Sequence, residues 1–192
     1  IAYLHDPPGK ALSIKEHEEL AQDNTQIAIS DNVSKRKQRK TVGIPDSLAA
    51  IIERLPMPAA GKDGVHAVGP ENSILRIVHP LSATPKDLQV PELDEELQKN
   101  EHELLGSIIK DLPCEGNEQF KNRFFAIWRL WPENVDERLR LLPADTRTPD
   151  HTIWNHLDMT AAFMSTHALG QGSALLAFAL GPVQQFIEAS RS

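Results

Sequence analysis

Apolar residues recur at helical spacing in five segments of the chain, and this periodicity constrains the fold more than any other feature of the sequence. Intervals of three and four residues place side chains on one face of a helix, whereas a strand alternates them. Gly170 and Gly172 are expected to end the last of these helices. The sequence therefore predicts a mainly α-helical fold, with helices over residues 11–29, 45–55, 92–112, 118–131 and 152–169.

Three other regions break the helical pattern. Residues 30–41 are polar and predict an exposed loop, whose basic run consists of Lys35, Arg36, Lys37, Arg39 and Lys40. Residues 59–91 are rich in proline and glycine, which predicts an irregular insert with an extended piece at 74–78 and room for a hairpin. Residues 174–180 are apolar and bounded by glycines, so a buried strand is expected there, followed by a helix that Pro182 opens.

The expected core is centred on the helix at 118–131. Its aromatic residues recur at i, i+4 spacing, so we expect an aromatic core face instead of a base-stacking surface, formed by Phe120, Phe124, Phe125, Trp128 and Trp131. The helix at 45–55 is expected to begin at Pro45, since proline is tolerated in a first helical turn. Its apolar face consists of Leu48, Ile51, Ile52 and Leu55.

Composition narrows the function classes. A length of 192 residues suits one well-cored domain, and because residue 1 is not Met and the chain ends as a helix starts, we expect a larger parent protein. The net charge of -7 argues against a surface that grips duplex nucleic acid through many phosphates. The single Cys114 cannot form an internal disulfide. Neither a signal pattern nor an apolar run of about 18 residues occurs, so a cytoplasmic location without membrane contact is expected.

The first residues that can carry chemistry are the adjacent pair His5 and Asp6, followed by Lys10. An imidazole nitrogen beside a carboxylate oxygen suits the divalent ions that support phosphoester hydrolysis. The alternative is that the two side chains only cap a turn before Pro7 and Pro8. The pair alone does not decide between these interpretations.

Four segments carry a resemblance to a known family. They are residues 4–12 (LHDPPGKAL), 78–82 (VHPLS), 142–156 (LPADTRTPDHTIWNH) and 180–187 (LGPVQQFI). With them the chain resembles the N-terminal HD region of the large, polymerase-like subunit of type III-B CRISPR effector complexes, the Cmr complexes. Residues between 82 and 142 contribute nothing to the resemblance.

The resemblance implies a fold and a domain division. HD phosphohydrolases take a His from a helix that precedes the His-Asp pair, but here the pair stands at residue 5 and the matching helix comes late. The expected fold is therefore a permuted HD-type helical bundle with an irregular insert over residues 1–170. Residues 171–192 would be the first β-α unit of a ferredoxin-like Palm domain.

The resemblance also implies a site. Its metal ligands would be His5, Asp6, Asp46 and His156, with Asp6 and Lys10 as the catalytic pair and Lys10 near the scissile phosphate. His17 and His151 are second-tier candidates, and either one can equally be a solvated or helix-capping residue. The basic run between residues 35 and 40 is a weak candidate for contact with a nucleic-acid backbone. Mixed His and carboxylate ligation favours a transition metal such as Mn²⁺ or Ni²⁺ over Mg²⁺.

The function implied by the resemblance is cleavage of single-stranded DNA when the guide RNA of the complex pairs with target RNA. The expected partners are the other subunits of the complex, guide and target RNA through the complex, and the DNA substrate. The parent subunit would also make cyclic oligoadenylates, with residues beyond Ser192. The alternative is a catalytically silent HD scaffold that joins the Palm region to other subunits, and it would be favoured if Asp46 or His156 pointed away from His5 and Asp6.

Overall fold

A computed structural model of the chain describes residues 1–13, 16–29, 33–53, 74–78, 84–89, 94–110, 112, 118–145, 151–174 and 176. This part of the chain is mainly helical, as the periodicity predicts. After a short 3-10 turn at Ala2–Leu4 come α1 (His17–Ile29), α2 (Lys35–Glu53), β1 (Ile74–Val78), β2 (Pro85–Gln89), α3 (Glu95–Lys110), α4 (Glu118–Asn134), α5 (Glu137–Arg140) and α6 (Ile153–Ala168).

The helices pack into a bundle around one hydrophobic core. α2 packs against α6, α3 packs against α4 and α1, and the 3-10 turn lies against α6. The centre of the core holds large side chains with almost no solvent exposure, among them Leu97, Leu105, Trp131, Ile153 and Leu157. Because α6 contacts both α2 and the 3-10 turn, distant parts of the sequence meet on its surface.

The insert contains the expected hairpin. β1 pairs with β2 in an antiparallel register that sets Ile74 opposite Gln89 and Val78 opposite Pro85. The prediction of an extended piece at 74–78 is therefore confirmed. The strand predicted at 174–180 lies mostly outside the described residues.

The prediction of a loop at residues 30–41 is wrong for the basic run, because α2 begins at Lys35. Acidic side chains of α1 neutralise part of the run: Lys35 Nζ donates to Glu19 Oε1 at 2.8 Å, and Arg39 Nε donates to Glu18 Oε1 at 2.8 Å. A buried row also runs along α2 at helical spacing, formed by Gln38, Val42, Pro45 and Ala49.

The expected start of this helix at Pro45 is also wrong, since Pro45 lies buried inside α2. A proline there cannot donate a hydrogen bond to the preceding turn. Packing of α2 against α6 and its charge pairs with α1 offset that local cost. Three residues of the predicted apolar face are on the exposed side of the helix, namely Leu48, Ile51 and Ile52. Leu55 lies outside the described residues.

The predicted aromatic core face of α4 is a second correction. Phe120, Phe124, Phe125 and Trp128 are 38–58 % exposed, and of the aromatic residues in α4 only Trp131 is buried. The buried row of α4 consists of Arg123, Ile127 and Trp131, which are also four residues apart. Two interactions select this row: Arg123 donates to the Ala28 carbonyl oxygen at 2.9 Å, and Trp131 Nε1 donates to Glu101 Oε2 at 3.2 Å.

Among the described helices, none combines the length and apolar character needed to cross a membrane.

Candidate metal centre

Four side chains predicted as metal ligands lie together where three elements meet. His5 and Asp6 follow the 3-10 turn, Asp46 projects from α2, and His156 lies in the first half of α6. Asp6 and His156 are 3 % and 4 % exposed, so both are held inside the bundle. Contact of α6 with α2 and with the 3-10 turn brings these parts of the chain to one point.

The ligand atoms of these residues form a compact group. Nε2 of His156 lies 3.0 Å from Asp46 Oδ1 and 3.7 Å from Asp6 Oδ2. Nε2 of His5 lies 3.6 Å from Asp46 Oδ1 and 3.4 Å from Asp6 Oδ2. Each imidazole therefore faces the same two carboxylates. We call these four residues the HD cluster.

In each imidazole, Nδ1 is hydrogen-bonded to a group outside the HD cluster, so Nε2 is the nitrogen that faces the cluster. His5 Nδ1 lies 2.6 Å from the Ala2 carbonyl oxygen, which can only accept, so Nδ1 carries the proton. His156 Nδ1 likewise donates to Glu53 Oε2 at 2.8 Å. The Nε2 atom of His5 is buried and has no hydrogen-bond partner among the residues that the structure describes. Its lone pair points into the HD cluster.

These separations fit a divalent cation. Imidazole nitrogens and carboxylate oxygens lie about 2.0–2.2 Å from a zinc-like ion, so two ligand atoms of a tetrahedral site are about 3.3–3.6 Å apart. Three of the four separations, at 3.4–3.7 Å, lie near that spacing, and the fourth, 3.0 Å between His156 Nε2 and Asp46 Oδ1, is a hydrogen-bond length that an ion would lengthen. The ligand atoms that all lie within 4.8 Å of one another belong to His5, Asp46 and His156. The donor set, two imidazoles and two carboxylates, suits a transition metal.

Charge balance favours the same conclusion. Burial raises the pKa of Asp46, but the hydrogen bond from His156 and the nearby imidazole of His5 lower it further, so the carboxylate is ionised. Burial also raises the pKa of Glu53, and the hydrogen bonds from His151 and His156 reverse that effect. With Asp6 also ionised and Lys10 positive, neutral imidazoles would leave two unbalanced negative charges. A divalent cation would balance them.

Lys10 is bound to the HD cluster through Asp6. Its Nζ donates to Asp6 Oδ2, and the Lys10 side chain is 24 % exposed in a cleft that the cluster also lines. Burial raises the pKa of Asp6, but the charges of His5 and Lys10 lower it more, and the pKa lies below its ordinary value. Lys10 thus keeps Asp6 ionised and places a positive charge at the cleft.

The remaining predicted residues are divided between two sides of His156. His17, Lys35 and Arg39 line the same cleft as His5 and Asp46. Arg36, Lys37 and Lys40 are exposed on α2. His151 lies on the other side, with Nε2 3.4 Å from Glu53 Oε2. Their roles remain predictions.

One residue of the site was missed from the sequence. Glu53 is seven residues after Asp46, and two turns of helix place both carboxylates on one face of α2. His156 lies between them, with Nε2 toward Asp46 and Nδ1 toward Glu53. The seven-residue spacing of the two carboxylates is the sequence feature that could have indicated Glu53. The predicted helix covered both residues, although it began too late, at residue 45.

The fold and the cluster define a class: a mainly helical protein with a partly buried His-carboxylate centre suited to a divalent cation. No protein-family model matches the chain. The chain is similar to the CRISPR system Cmr subunit Cmr2 of Pyrococcus furiosus, with 29 % identity over an alignment of 239 residues. The alignment covers 98 % of this chain and 26 % of that relative, so the chain spans about a quarter of its length. The resemblance to the large subunit of Cmr complexes is thereby confirmed.

Proposed function

We propose that the chain is an HD-type, metal-dependent nuclease domain that cleaves single-stranded DNA within a type III-B CRISPR effector complex. The observation that carries the proposal is the HD cluster, in which two imidazole Nε2 atoms face two carboxylates at 3.0–3.7 Å. Similarity to Cmr2 along 98 % of the chain supports the assignment to the large subunit. Because Asp46 and His156 both point toward His5 and Asp6, the geometry favours the nuclease over the silent scaffold.

A divalent ion held by His5, Asp6, Asp46 and His156 would supply Lewis acidity for attack on a phosphodiester. The residues of the chain prepare for this in two ways. The Nδ1 contacts keep both Nε2 atoms directed inward. Lys10 holds Asp6 ionised and gives the cleft a cation that can orient a phosphate oxygen.

The cleft beside the HD cluster is the proposed path of the DNA. Lys35 and Arg39 line it, although each is paired with an acidic residue of α1. These ion pairs are exposed, so each contributes little energy. A single strand that enters the cleft would therefore exchange them for phosphate contacts. The chain as a whole carries a charge of -7, so a local basic edge is better suited to one strand than a duplex-binding face.

The domain division and the partners belong to the same proposal. Residues 1–170 would form the permuted HD domain, in which α6 takes the place of the helix that precedes the His-Asp pair in other HD proteins. Residues 171–192 would begin the Palm domain of a parent subunit that makes cyclic oligoadenylates. Other Cmr subunits, guide RNA and target RNA would be partners through the complex. Mn²⁺ or Ni²⁺ would be the ion that the HD cluster binds.

The test combines metal uptake with DNA cleavage. The wild-type chain, the double variant His5→Ala/Asp6→Ala and the control Asp23→Ala, an exposed residue of α1, are purified and incubated with Mn²⁺ and a labelled single-stranded oligonucleotide. We expect the wild type and the control to bind metal and cleave the DNA, and the double variant to do neither. Absence of metal uptake by the wild type would reject the proposal in favour of the scaffold. Equal cleavage by the double variant would place the active site elsewhere.

A further inference from the structure

A buried carboxylate lies directly behind His156, on the side away from the HD cluster. Glu53 is the last residue of α2, and its side chain is 7 % exposed. Its Oε2 atom lies 2.8 Å from Nδ1 of His156 and 3.4 Å from Nε2 of His151. Glu53 is therefore held by two imidazoles, one from the first turn of α6 and the other from two residues before that helix.

The contact fixes which nitrogen of His156 is available to a cation. With a cation at Nε2, the one proton of the neutral ring must be on Nδ1, where the Glu53 carboxylate can only accept it. The lone pair is then on Nε2, which faces Asp46 and Asp6. His5 has the same arrangement, with the Ala2 carbonyl oxygen as its acceptor. Histidines that bind metals commonly donate their second N–H to a carboxylate or a carbonyl group.

We propose that Glu53, held by His151, is a positioning residue of the metal centre: it fixes the tautomer and ring orientation of His156 so that Nε2 is presented to the ion. The inference rests on the proposed function, because it needs an ion in the HD cluster. It also assigns a role to His151 that differs from direct ligation.

The competing arrangement is a separate cation bound by Glu53, His151 and His156 themselves, whose ligand atoms lie within 4.8 Å of one another. Two observations argue against it. The 2.8 Å separation of Glu53 Oε2 and His156 Nδ1 is a hydrogen-bond length, shorter than the about 3.3–3.6 Å between two ligands of one tetrahedral ion. An ion at Nδ1 together with one at Nε2 would also require His156 to lose both ring protons.

Zn²⁺ is the probe for the test, because it is diamagnetic and accepts His and carboxylate ligands. Zn²⁺ affinity and stoichiometry are measured by calorimetry for the wild type, Glu53→Ala and Glu53→Gln. The matched control is Glu101→Gln, a second buried glutamate that accepts from Trp131 in the core instead. Long-range proton–nitrogen spectra of the zinc-loaded proteins report the tautomer of His156, and circular dichroism checks folding.

We expect Glu53→Ala to weaken Zn²⁺ binding by about 10- to 100-fold at unchanged stoichiometry. Glu53→Gln, whose amide oxygen can still accept the proton of Nδ1, should retain more affinity than Glu53→Ala, and Glu101→Gln should match the wild type. The wild-type spectrum should show His156 protonated at Nδ1, and in Glu53→Ala, where this proton has lost its carboxylate acceptor, it should exchange with solvent faster.

The possible failures are distinguishable. If the wild type takes up no Zn²⁺, the proposed metal centre itself fails. If the wild type binds Zn²⁺ and Glu53→Ala binds it equally well, only the positioning role is overturned. Loss of one whole equivalent of Zn²⁺ in Glu53→Ala would also overturn it, since Glu53 would then be a ligand. Should Glu53→Ala fail to fold, Glu53→Gln decides by its Zn²⁺ affinity and by the solvent exchange of the Nδ1 proton.

Discussion

The metal-free chain should lose stability as the pH rises from about 6.5 to about 9, because the folded state holds a proton on His156. Burial lowers the pKa of His156, but hydrogen bonds to Asp46 and Glu53 and the charge of Asp6 raise it from 6.5 to about 9. A folded-state pKa above the unfolded one means that the stabilisation is complete below pH 6.5. It disappears as the pH passes through about 9.

The magnitude follows from that interval. One pH unit corresponds to about 1.4 kcal/mol, so the gap between 6.5 and about 9 is worth on the order of 3 kcal/mol of unfolding free energy. The side chain of His156 is only 5 % exposed, so solvent screening removes little of this amount. The substitution His156→Gln removes the titrating group and supplies the reference.

The assay is urea unfolding of chelator-treated protein, followed by far-ultraviolet circular dichroism at about pH 6 and about pH 9.5. The difference in unfolding free energy between the wild type and His156→Gln should shrink by about 3 kcal/mol between these conditions. A difference that stays constant with pH would refute the reasoning, because His156 would then carry no extra proton in the folded state. The same proton competes with a metal for Nε2. Mn²⁺ affinity should therefore rise by about tenfold per pH unit between about pH 6.5 and 8.

Three further predictions concern single side chains. Asp6→Ala should abolish metal-dependent cleavage of single-stranded DNA and leave the far-ultraviolet spectrum unchanged, since Asp6 is held for its charge; full Mn²⁺-dependent activity would refute its role. Trp131→Ala should lower the free energy of unfolding in urea by about 3–5 kcal/mol, because Trp131 has 0 % exposure. Trp128→Ala, on the exposed side of α4, should lower it by less than about 1 kcal/mol. Equal costs would contradict the observed orientation of α4. Burial raises the pKa of Glu101 above its ordinary 4.5 despite a hydrogen bond from Trp131, so the folded state is disfavoured as the pH rises through that raised pKa. Glu101→Gln should remove this decline, and parallel pH profiles of the two proteins would count against it.

Helix positions were predictable where one apolar face dominates the segment. The helix predicted at 152–169 is observed at Ile153–Ala168, and that predicted at 92–112 is observed at Glu95–Lys110. α2 was predicted too short because its first two turns are strongly basic and its proline lies in mid-helix. Both features are local signals against a helix, and tertiary contacts with α1 and α6 outweigh them.

The orientation of α4 could not be predicted from periodicity. Phe120, Phe124 and Trp128 form one row at four-residue spacing, and Arg123, Ile127 and Trp131 form another. Apolarity alone favours the first row, but the second is buried. The choice depends on partners in other helices, the Ala28 carbonyl oxygen and Glu101, which no local pattern in α4 encodes.

The site was predictable only in part for a related reason. His5 and Asp6 are adjacent in the sequence, so their pairing is visible there, whereas Asp46 and His156 were proposed from the family resemblance. Glu53 has no signature of its own, because its role arises only when α2 packs on α6 and brings its carboxylate to Nδ1 of His156. A residue that acts through another residue is defined by packing, which is why the sequence did not indicate it.

The proton on His156 and the proposed cation both balance the negative charge of the carboxylates around the site. Asp6, Asp46 and Glu53 are ionised, Asp6 and Glu53 are enclosed, and Lys10 offsets only one of the three charges. Without a metal, a protonated His156 donates to Asp46 and Glu53 at the same time and removes a second charge. A divalent ion would balance both remaining charges and displace only the Nε2 proton, while Glu53 keeps the one on Nδ1. The metal-free fold is thus held in the geometry that a cation requires, and binding should need little rearrangement of α2 and α6.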